Sequence, residues 1–125
     1  MPHRILVVDD EQPILFAIRE YFSRFGYQVD CAGERQKAEA LMARVLYDVV
    51  ILDLRLNGID SMEGLDLVRY AQERSPRIRV CLLTAYGNPV VEQEARRLGV
   101  QAFLQKPMPL PEILRVVTNL LSTPS

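Results

Sequence analysis

Short apolar runs alternate along the chain with segments in which apolar residues recur every three or four positions. The central run, Val49-Val50-Ile51-Leu52, is rich in β-branched side chains and ends at Asp53. A continuous apolar run of this length predicts a strand that is buried on both faces, as in a parallel sheet. Burying an unpaired carboxylate is costly, so we expect Asp53 at the carboxyl edge of the sheet, where open α/β folds bind ligands.

The other runs predict four more strands, and the segments between them predict five helices. The strands are expected at 4–8, 27–32, 48–53, 78–83 and 101–105. In the first helix the apolar positions are Ile14, Ile18, Tyr21, Phe22 and Phe25, and Gly26 closes it. This alternation predicts an α/β domain with a parallel sheet, right-handed crossovers and helices on both faces. We expect the domain to span residues 1–121, with 122–125 as a tail or the start of a linker.

Composition narrows the classes of function. The chain has 125 residues and a net charge of −1, so it has no broad basic surface for nucleic acid. It has no run of eighteen apolar residues, which predicts a cytoplasmic protein without a membrane span. Cys31 and Cys81 are far apart and lie in apolar stretches, which favours two buried thiols over a disulfide or a metal site.

Polar residues that could take part in catalysis or ligand binding follow four of the predicted strands. They are Asp9 and Asp10 after the first strand, Asp53 after the third, Thr84 after the fourth and Lys106 after the fifth. Because parallel strands all end at one edge, we expect these five side chains to gather there. One such residue alone would commonly cap a helix or face water, but five at matched strand ends indicate a site.

The combination of three carboxylates, a hydroxyl and an amine predicts phosphoryl chemistry. Clustered carboxylates repel one another unless a cation intervenes, and hard oxygen ligands of this kind suit Mg²⁺. A carboxylate beside Mg²⁺ can attack an activated phosphoryl group and form an aspartyl phosphate. The amine and the hydroxyl would then hold the phosphoryl oxygens.

At this point the chain resembles the receiver domain of two-component response regulators over essentially its whole length. The matching motifs are Val7-Val8-Asp9-Asp10-Glu11, Leu52-Asp53-Leu54, Leu83-Thr84-Ala85-Tyr86-Gly87 and Gln105-Lys106-Pro107. The resemblance implies a doubly wound, flavodoxin-like sheet of five strands in the order 2-1-3-4-5 with five helices.

The resemblance also implies a role for each site residue. Asp53 would accept the phosphoryl group from a histidine kinase phosphohistidine or from a small donor. Asp10, Asp53 and the backbone carbonyl of Arg55 would ligate Mg²⁺ directly, with Mn²⁺ as an alternative ion, and Asp9 would act mostly through water. Lys106 would pair with the phosphoryl group, and Thr84 would move to hydrogen-bond it.

A switch and a set of partners follow from the same resemblance. Phe103, three residues before Lys106, is expected to turn inward when Thr84 moves, and it is also a plain core position. The surface of the fourth helix, fifth strand and fifth helix would then bind a downstream protein or output domain, or form a phosphorylation-dependent homodimer. The upstream partner would be a sensor histidine kinase or a phosphotransfer protein. The domain would not be an enzyme acting on external substrates, and it would not bind nucleic acid itself.

One feature near Asp53 departs from the family pattern, and two residues are expected to affect the lifetime of the phosphoryl group. The loop from Asp53 to the helix start at Met62-Glu63-Gly64-Leu65 is about three residues longer than is usual in the family. Loops between such elements are normally short. By resemblance, Arg55 and Tyr86 flank the path of a hydrolytic water. Both are large, which predicts a long-lived aspartyl phosphate.

Three other functions are compatible with an α/β domain that carries an acidic cluster. A Mg²⁺-dependent phosphohydrolase commonly has a second acidic residue two positions after its nucleophile, where this chain has Arg55. A flavin or nucleotide binder would require a phosphate-binding loop after the first strand, where Asp9-Asp10-Glu11 would repel phosphate. A scaffold of receiver type that works without phosphorylation has the same fold, and only chemistry distinguishes it.

Overall fold

The computed structural model of the protein describes residues 2–54, 61–85 and 89–122. Within these ranges five strands alternate with five helices, as the sequence predicts. The elements are β1 (Arg4–Val8), α1 (Gln12–Ser23), β2 (Gln28–Ala32), α2 (Arg35–Arg44), β3 (Val49–Leu52), α3 (Ser61–Arg74), β4 (Arg79–Thr84), α4 (Pro89–Arg97), β5 (Ala102–Gln105) and α5 (Leu110–Ser122).

The sheet has the order β2-β1-β3-β4-β5, and every neighbouring pair is parallel. The predicted strand order and fold class are therefore confirmed. Because β1 and β3 lie inside the sheet, their carboxyl ends are adjacent, with Val8 opposite Leu52 in the register. This adjacency brings the residues that follow the two strands together.

Alternate residues of each central strand pack into two separate hydrophobic cores. Ile5 and Val7 face the core formed with α1 and α5, whereas Leu6 and Val8 face the core formed with α2, α3 and α4. All four residues of β3 are buried in the same alternating way. Burial on both faces explains why these strands are continuously apolar.

The structure corrects two expectations about the core. Phe25 was predicted on the buried face of the first helix, but α1 ends at Ser23 and Phe25 is 55% exposed. The chain turns there through Gly26, whose φ of +89° is open to glycine at little cost. Cys81 is fully buried as predicted, but Cys31 is only half-buried because β2 is an edge strand.

In the described ranges no helix is both long enough and apolar enough to cross a bilayer.

Candidate functional site

Asp53 lies directly after β3, at the centre of the carboxyl edge of the sheet. Its backbone N–H donates to the carbonyl oxygen of Val8 at 2.9 Å, which continues the β1–β3 pairing by one residue. The side chain of Asp53 is only 4% exposed. A buried carboxylate is therefore held between the ends of β1 and β3.

Asp9 and Glu11 follow β1 on the same edge, and the backbone fixes both. The N–H of Asp9 donates to the carbonyl oxygen of Ala32 at 3.0 Å, so Asp9 remains part of the β1–β2 pairing. The N–H of Glu11 donates to Oδ1 of Asp9 at 2.9 Å. The carbonyl oxygen of Glu11 then accepts the first hydrogen bond of α1, from Ile14 at 3.0 Å. Helix α1 thus begins directly from the acidic segment.

Lys106 enters the site from the end of β5. Its N–H donates to the carbonyl oxygen of Thr84 at 3.0 Å, which aligns the end of β5 with the end of β4. Its Nζ lies 2.7 Å from Oδ2 of Asp9, 2.9 Å from Oε2 of Glu11 and 3.0 Å from Oδ2 of Asp53. The side chain is 10% exposed, so this amine is held by three carboxylates at once.

Electrostatics in the site are dominated by negative charge. Asp9, Asp10, Glu11 and Asp53 each offer one carboxylate oxygen, and these four oxygens all lie within 4.8 Å of one another. Four carboxylates and one ammonium leave a formal charge of −3 when all are ionised. This excess is the condition under which a carboxylate cluster binds a cation.

The pKa values of two groups reflect this crowding. Desolvation raises the pKa of Asp9 above its ordinary value, and the ion pair with Lys106 only partly offsets that effect. Burial by itself would lower the pKa of Lys106, but hydrogen bonds to Asp9, Glu11 and Asp53 outweigh it and raise the pKa. Lys106 is therefore a permanent cation at physiological pH.

The donor set fits a hard divalent cation. Carboxylate oxygens are the ligands that Mg²⁺ and Ca²⁺ take in proteins, and Asp9 and Asp53 are held in place by backbone contacts. Nitrogen and sulfur ligands, which softer metals prefer, are absent from the acidic clusters of the described residues.

Thr84 and Phe103 lie where the sequence placed them, at the end of β4 and within β5. Thr84 is fully buried, and its register partner across the strand pair is Gln105. Phe103 lies opposite Leu82 and is half-buried against the core shared with α2, α3 and α4. The two residues therefore lie on neighbouring strands, and Phe103 comes two residues before the register partner of Thr84.

Three expectations concern residues outside the described ranges. Arg55, with its carbonyl as a metal ligand, and Tyr86, with its suggested influence on hydrolysis, both lie there. The longer segment between Asp53 and Met62 lies there in large part.

Glu11 is the site residue that sequence reasoning missed. In the sequence it is part of the Val7-Val8-Asp9-Asp10-Glu11 motif without a role of its own, and a glutamate directly before a helix commonly faces solvent. Its side chain is 58% exposed, yet it contacts Lys106, which is 95 residues away along the chain. The only available signal was its position immediately after two aspartates at a strand end.

Comparison with known proteins adds sequence evidence to this geometry. Residues 5–118 match the family described as the response regulator receiver domain. Sporulation initiation phosphotransferase F of Bacillus subtilis is 33% identical over 121 residues, covering 97% of this chain and 95% of that protein. Regulatory protein AtoC of Escherichia coli is 32% identical over 123 residues, which are 98% of this chain but only 26% of that protein. Similarity thus extends to a relative of equal length and to one segment of a longer regulator.

Solved structures give the same fold. The non-phosphorylated HemR receiver domain from Leptospira biflexa superposes with a TM-score of 0.89 at 28% identity, covering 100% of this chain and 98% of that one. A response regulator protein from Burkholderia pseudomallei superposes with a TM-score of 0.85 at 26% identity, covering 94% and 68%. That structure contains a phosphorylated aspartic acid and a calcium ion.

Proposed function

Because this chain belongs to the receiver domain family of response regulators, we propose that it is a signalling domain switched by phosphorylation of Asp53. One observation carries the proposal. Lys106 Nζ lies 3.0 Å from Oδ2 of Asp53, at strand ends where three further carboxylates lie close to Asp53. A buried carboxylate with an amine beside it, and with further carboxylates close enough to share a cation, is equipped to receive a phosphoryl group.

The transfer itself requires little covalent chemistry from the protein. A carboxylate oxygen of Asp53 attacks phosphorus, and the bond from phosphorus to the donor breaks. The donor leaves with the bonding electrons, as acetate from acetyl phosphate or as the imidazole of a phosphohistidine. Lys106 neutralises charge on the phosphoryl oxygens, and the hydrogen bond from the N–H of Asp53 to the carbonyl oxygen of Val8 fixes the position of Asp53.

A divalent cation fits the remaining carboxylates. We assign Mg²⁺, or Mn²⁺ in its place, to Asp10 and Asp53 with the backbone carbonyl of Arg55, and to Asp9 through water. When bound, the cation supplies charge neutralisation between the carboxylates and the incoming phosphoryl oxygens. The four oxygens within 4.8 Å of one another support this assignment.

Thr84 and Phe103 would convert phosphorylation into a change of surface. The hydroxyl of Thr84 would move to the phosphoryl group, and the ring of Phe103 would pack inward into the space that Thr84 leaves. Both lie on β4 and β5, beside α4 and α5, so the α4-β5-α5 surface would change with them. A downstream protein, an output domain or a second copy of the domain would read that surface. The phosphoryl lifetime would be set by Arg55 and Tyr86.

An apolar cleft next to Lys106 supports a protein as the phosphodonor. The cleft has a volume of about 460 Å³ and lies between α1 and the start of α5, with Ile14, Ala17, Pro107 and Met108 in its lining. A small donor such as acetyl phosphate gains nothing from an apolar surface, whereas a kinase or phosphotransfer helix would bury apolar side chains there. We therefore propose a sensor histidine kinase or phosphotransfer protein as the physiological donor, and the cytoplasm as the location of this domain.

Intact mass spectrometry tests the proposal directly. The protein is incubated with Mg²⁺ and acetyl phosphate, and beryllofluoride binding is measured by ¹⁹F NMR on a second sample. We expect one added phosphoryl group and one bound beryllofluoride in the wild type, and neither in Asp53→Asn. Asp66→Asn is the matched control, because Asp66 is an exposed aspartate of α3 paired with Arg69.

The beryllofluoride sample covers the case in which the aspartyl phosphate hydrolyses before it can be detected, because bound beryllofluoride contains no acyl phosphate bond to hydrolyse. If the wild type neither gains mass nor binds beryllofluoride in Mg²⁺, the phosphorylation proposal is wrong. The domain would then be a receiver-type scaffold.

A further inference from the structure

Glu11 connects three parts of the site through three different groups. Its N–H holds Oδ1 of Asp9, its carbonyl oxygen begins α1, and its carboxylate contacts Nζ of Lys106. Its side chain is 58% exposed, whereas those of Asp9, Asp53 and Lys106 are at most 10% exposed. Glu11 therefore lies on the outer side of the site, and Asp9 and Asp53 form its buried part.

The partners of Lys106 differ in what else they can do. An ammonium group has three N–H donors, and in this structure Asp9, Glu11 and Asp53 lie around Nζ at 2.7, 2.9 and 3.0 Å. Of the partners of Lys106, Asp53 is also assigned to the cation directly and Asp9 through water. Once they turn toward a cation, Glu11 is the remaining carboxylate partner of Lys106 among the described residues. Without Glu11, lysine and cation would compete for the same two groups.

The charge of Glu11 acts in opposite directions on the two ligands of the site. A fourth carboxylate strengthens the attraction for a divalent cation and weakens the attraction for an anionic phosphoryl group. It also holds the lysine that the phosphoryl group must engage, so Lys106 has to leave or share this partner when the anion binds.

We propose that Glu11 is a positioning residue that holds Lys106 at the rim and biases the site toward cation binding and against phosphoryl binding. This role rests on the proposed phosphorylation of Asp53. It assigns to Glu11 a restraint on the switch in the unphosphorylated state. In the wild type the charge of Glu11 favours the cation, and an anionic phosphoryl group has to bind against that charge.

Isothermal titration calorimetry with Glu11→Gln tests both effects. Glutamine keeps the length of the side chain and the backbone contacts but removes the charge. We expect Mg²⁺ to bind about threefold to tenfold more weakly, as for loss of one partly screened charge near the site. At saturating Mg²⁺, we expect beryllofluoride to bind Glu11→Gln at least about threefold more tightly than it binds the wild type.

The lysine itself provides a readout that is independent of ligand binding. The chain has only two lysines, Lys37 and Lys106, so the ¹H–¹⁵N spectrum of the side-chain ammonium groups is assigned with Lys37→Arg. Glu11→Gln should shift or broaden the Lys106 signal by removing one of its partners and should leave Lys37 unchanged.

Two further variants separate charge from contact. Glu34→Gln is the matched control, because Glu34 is also an exposed residue at the N-terminus of a helix, without a side-chain capping bond, and lies outside the carboxylate cluster. It should change neither ligand affinity. Glu11→Asp keeps the charge and shortens the side chain, so it should retain most of the Mg²⁺ affinity while the Lys106 signal still shifts.

The sign of the two changes decides the outcome. Opposite changes in Mg²⁺ and beryllofluoride affinity support the proposal. A parallel loss of both would indicate a merely structural role, and no change in either would indicate a solvated side chain; both results overturn it. A wild type that binds no beryllofluoride would instead refute the phosphorylation proposal.

Discussion

Gly64 faces the main chain of Leu54, the residue after Asp53, without room for a side chain. A Cβ built on Gly64 would overlap the carbonyl oxygen of Leu54 and lie 3.1 Å from its Cα. Because the obstacle is backbone, a larger residue cannot be accommodated by rotating a side chain. The first turns of α3 therefore rest directly on the segment that carries Asp53.

Gly64→Ala should destabilise the domain by about 1–3 kcal/mol, the usual cost of overpacking. It should also shift the backbone amide signals of Asp53 and Leu54, since one of the two segments has to move. Urea unfolding and ¹H–¹⁵N spectra measure these effects. In the control Gly33→Ala, the added Cβ meets mainly the flexible end of Gln12 at 3.2 Å, so a smaller cost is expected. Equal stability of the two variants would contradict the argument.

The sequence predicts the fold well because each central strand is buried on both faces. Continuous apolar runs such as Ile5–Val8 and Val49–Leu52 have few other interpretations when helical segments separate them. The same reasoning places Asp53 and Lys106 together, since parallel strands end at one edge. Their contact follows from topology rather than from any local signal.

Local patterns are less informative where the chain leaves a regular element or lies at the sheet edge. The spacing of Phe25 continues the helical pattern of Phe22, but the helix has already ended at Ser23, so Phe25 faces solvent. Cys31 is apolar in context but lies on an edge strand. The contact of Glu11 with Lys106 depends on the path from β5 to α5, which no pattern near Glu11 encodes.

A short hydrogen bond between Tyr47 and Asp30 should contribute measurably to stability. The hydroxyl of Tyr47, which is 3% exposed, donates to Oδ2 of Asp30 at 2.6 Å. Burial, reinforced by this bond and by the negative charge of Asp30, raises the pKa of Tyr47. Tyr47→Phe should lower the free energy of unfolding by about 1.5–3 kcal/mol, as for a bond to a charged group.

The matched control for that measurement is Tyr70→Phe. Tyr70 donates to the neutral carbonyl oxygen of Glu39 at 3.2 Å, so its removal should cost about 0.5–1.5 kcal/mol. Urea unfolding of both variants at pH 7 gives the comparison. A larger loss for Tyr70→Phe would show that the charge of Asp30 adds nothing.

Asp9 should destabilise the metal-free protein as the pH rises. Because desolvation raises its pKa in the folded state, the fold binds the Asp9 proton more tightly than the unfolded chain does. Stability from this group is therefore present at low pH and is lost as the pH rises through the raised pKa. In metal-free buffer, Asp9→Asn should be more stable than the wild type at pH 7, and the difference should shrink toward pH 4.

Added Mg²⁺ should reverse that order, since the wild type gains more from binding the cation than the variant does. Thermal unfolding between pH 4 and pH 8, with EDTA or with Mg²⁺, measures both effects. If the stability difference between Asp9→Asn and the wild type is independent of pH in EDTA, the pKa of Asp9 is not raised.

Thr84→Val should separate phosphoryl binding from the response of Phe103. Valine fills the buried site of Thr84 but lacks the hydroxyl that would reach the phosphoryl group. We expect beryllofluoride still to bind at Asp53, because Lys106 and the carboxylates are intact. In the wild type the ring signals of Phe103 should shift on binding, and in Thr84→Val they should not.

The chain has four phenylalanines, so ¹³C-labelled rings resolve Phe103 readily. Thr118→Val is the control, because the hydroxyl of Thr118 forms a hydrogen bond with the hydroxyl of Tyr27 at 3.0 Å and neither residue belongs to the carboxylate cluster. This variant should leave the Phe103 response unchanged. A Phe103 shift of wild-type size in Thr84→Val would show that the ring moves without the hydroxyl, and the coupling between β4 and β5 would have to run through the backbone bond from Lys106 to Thr84 instead.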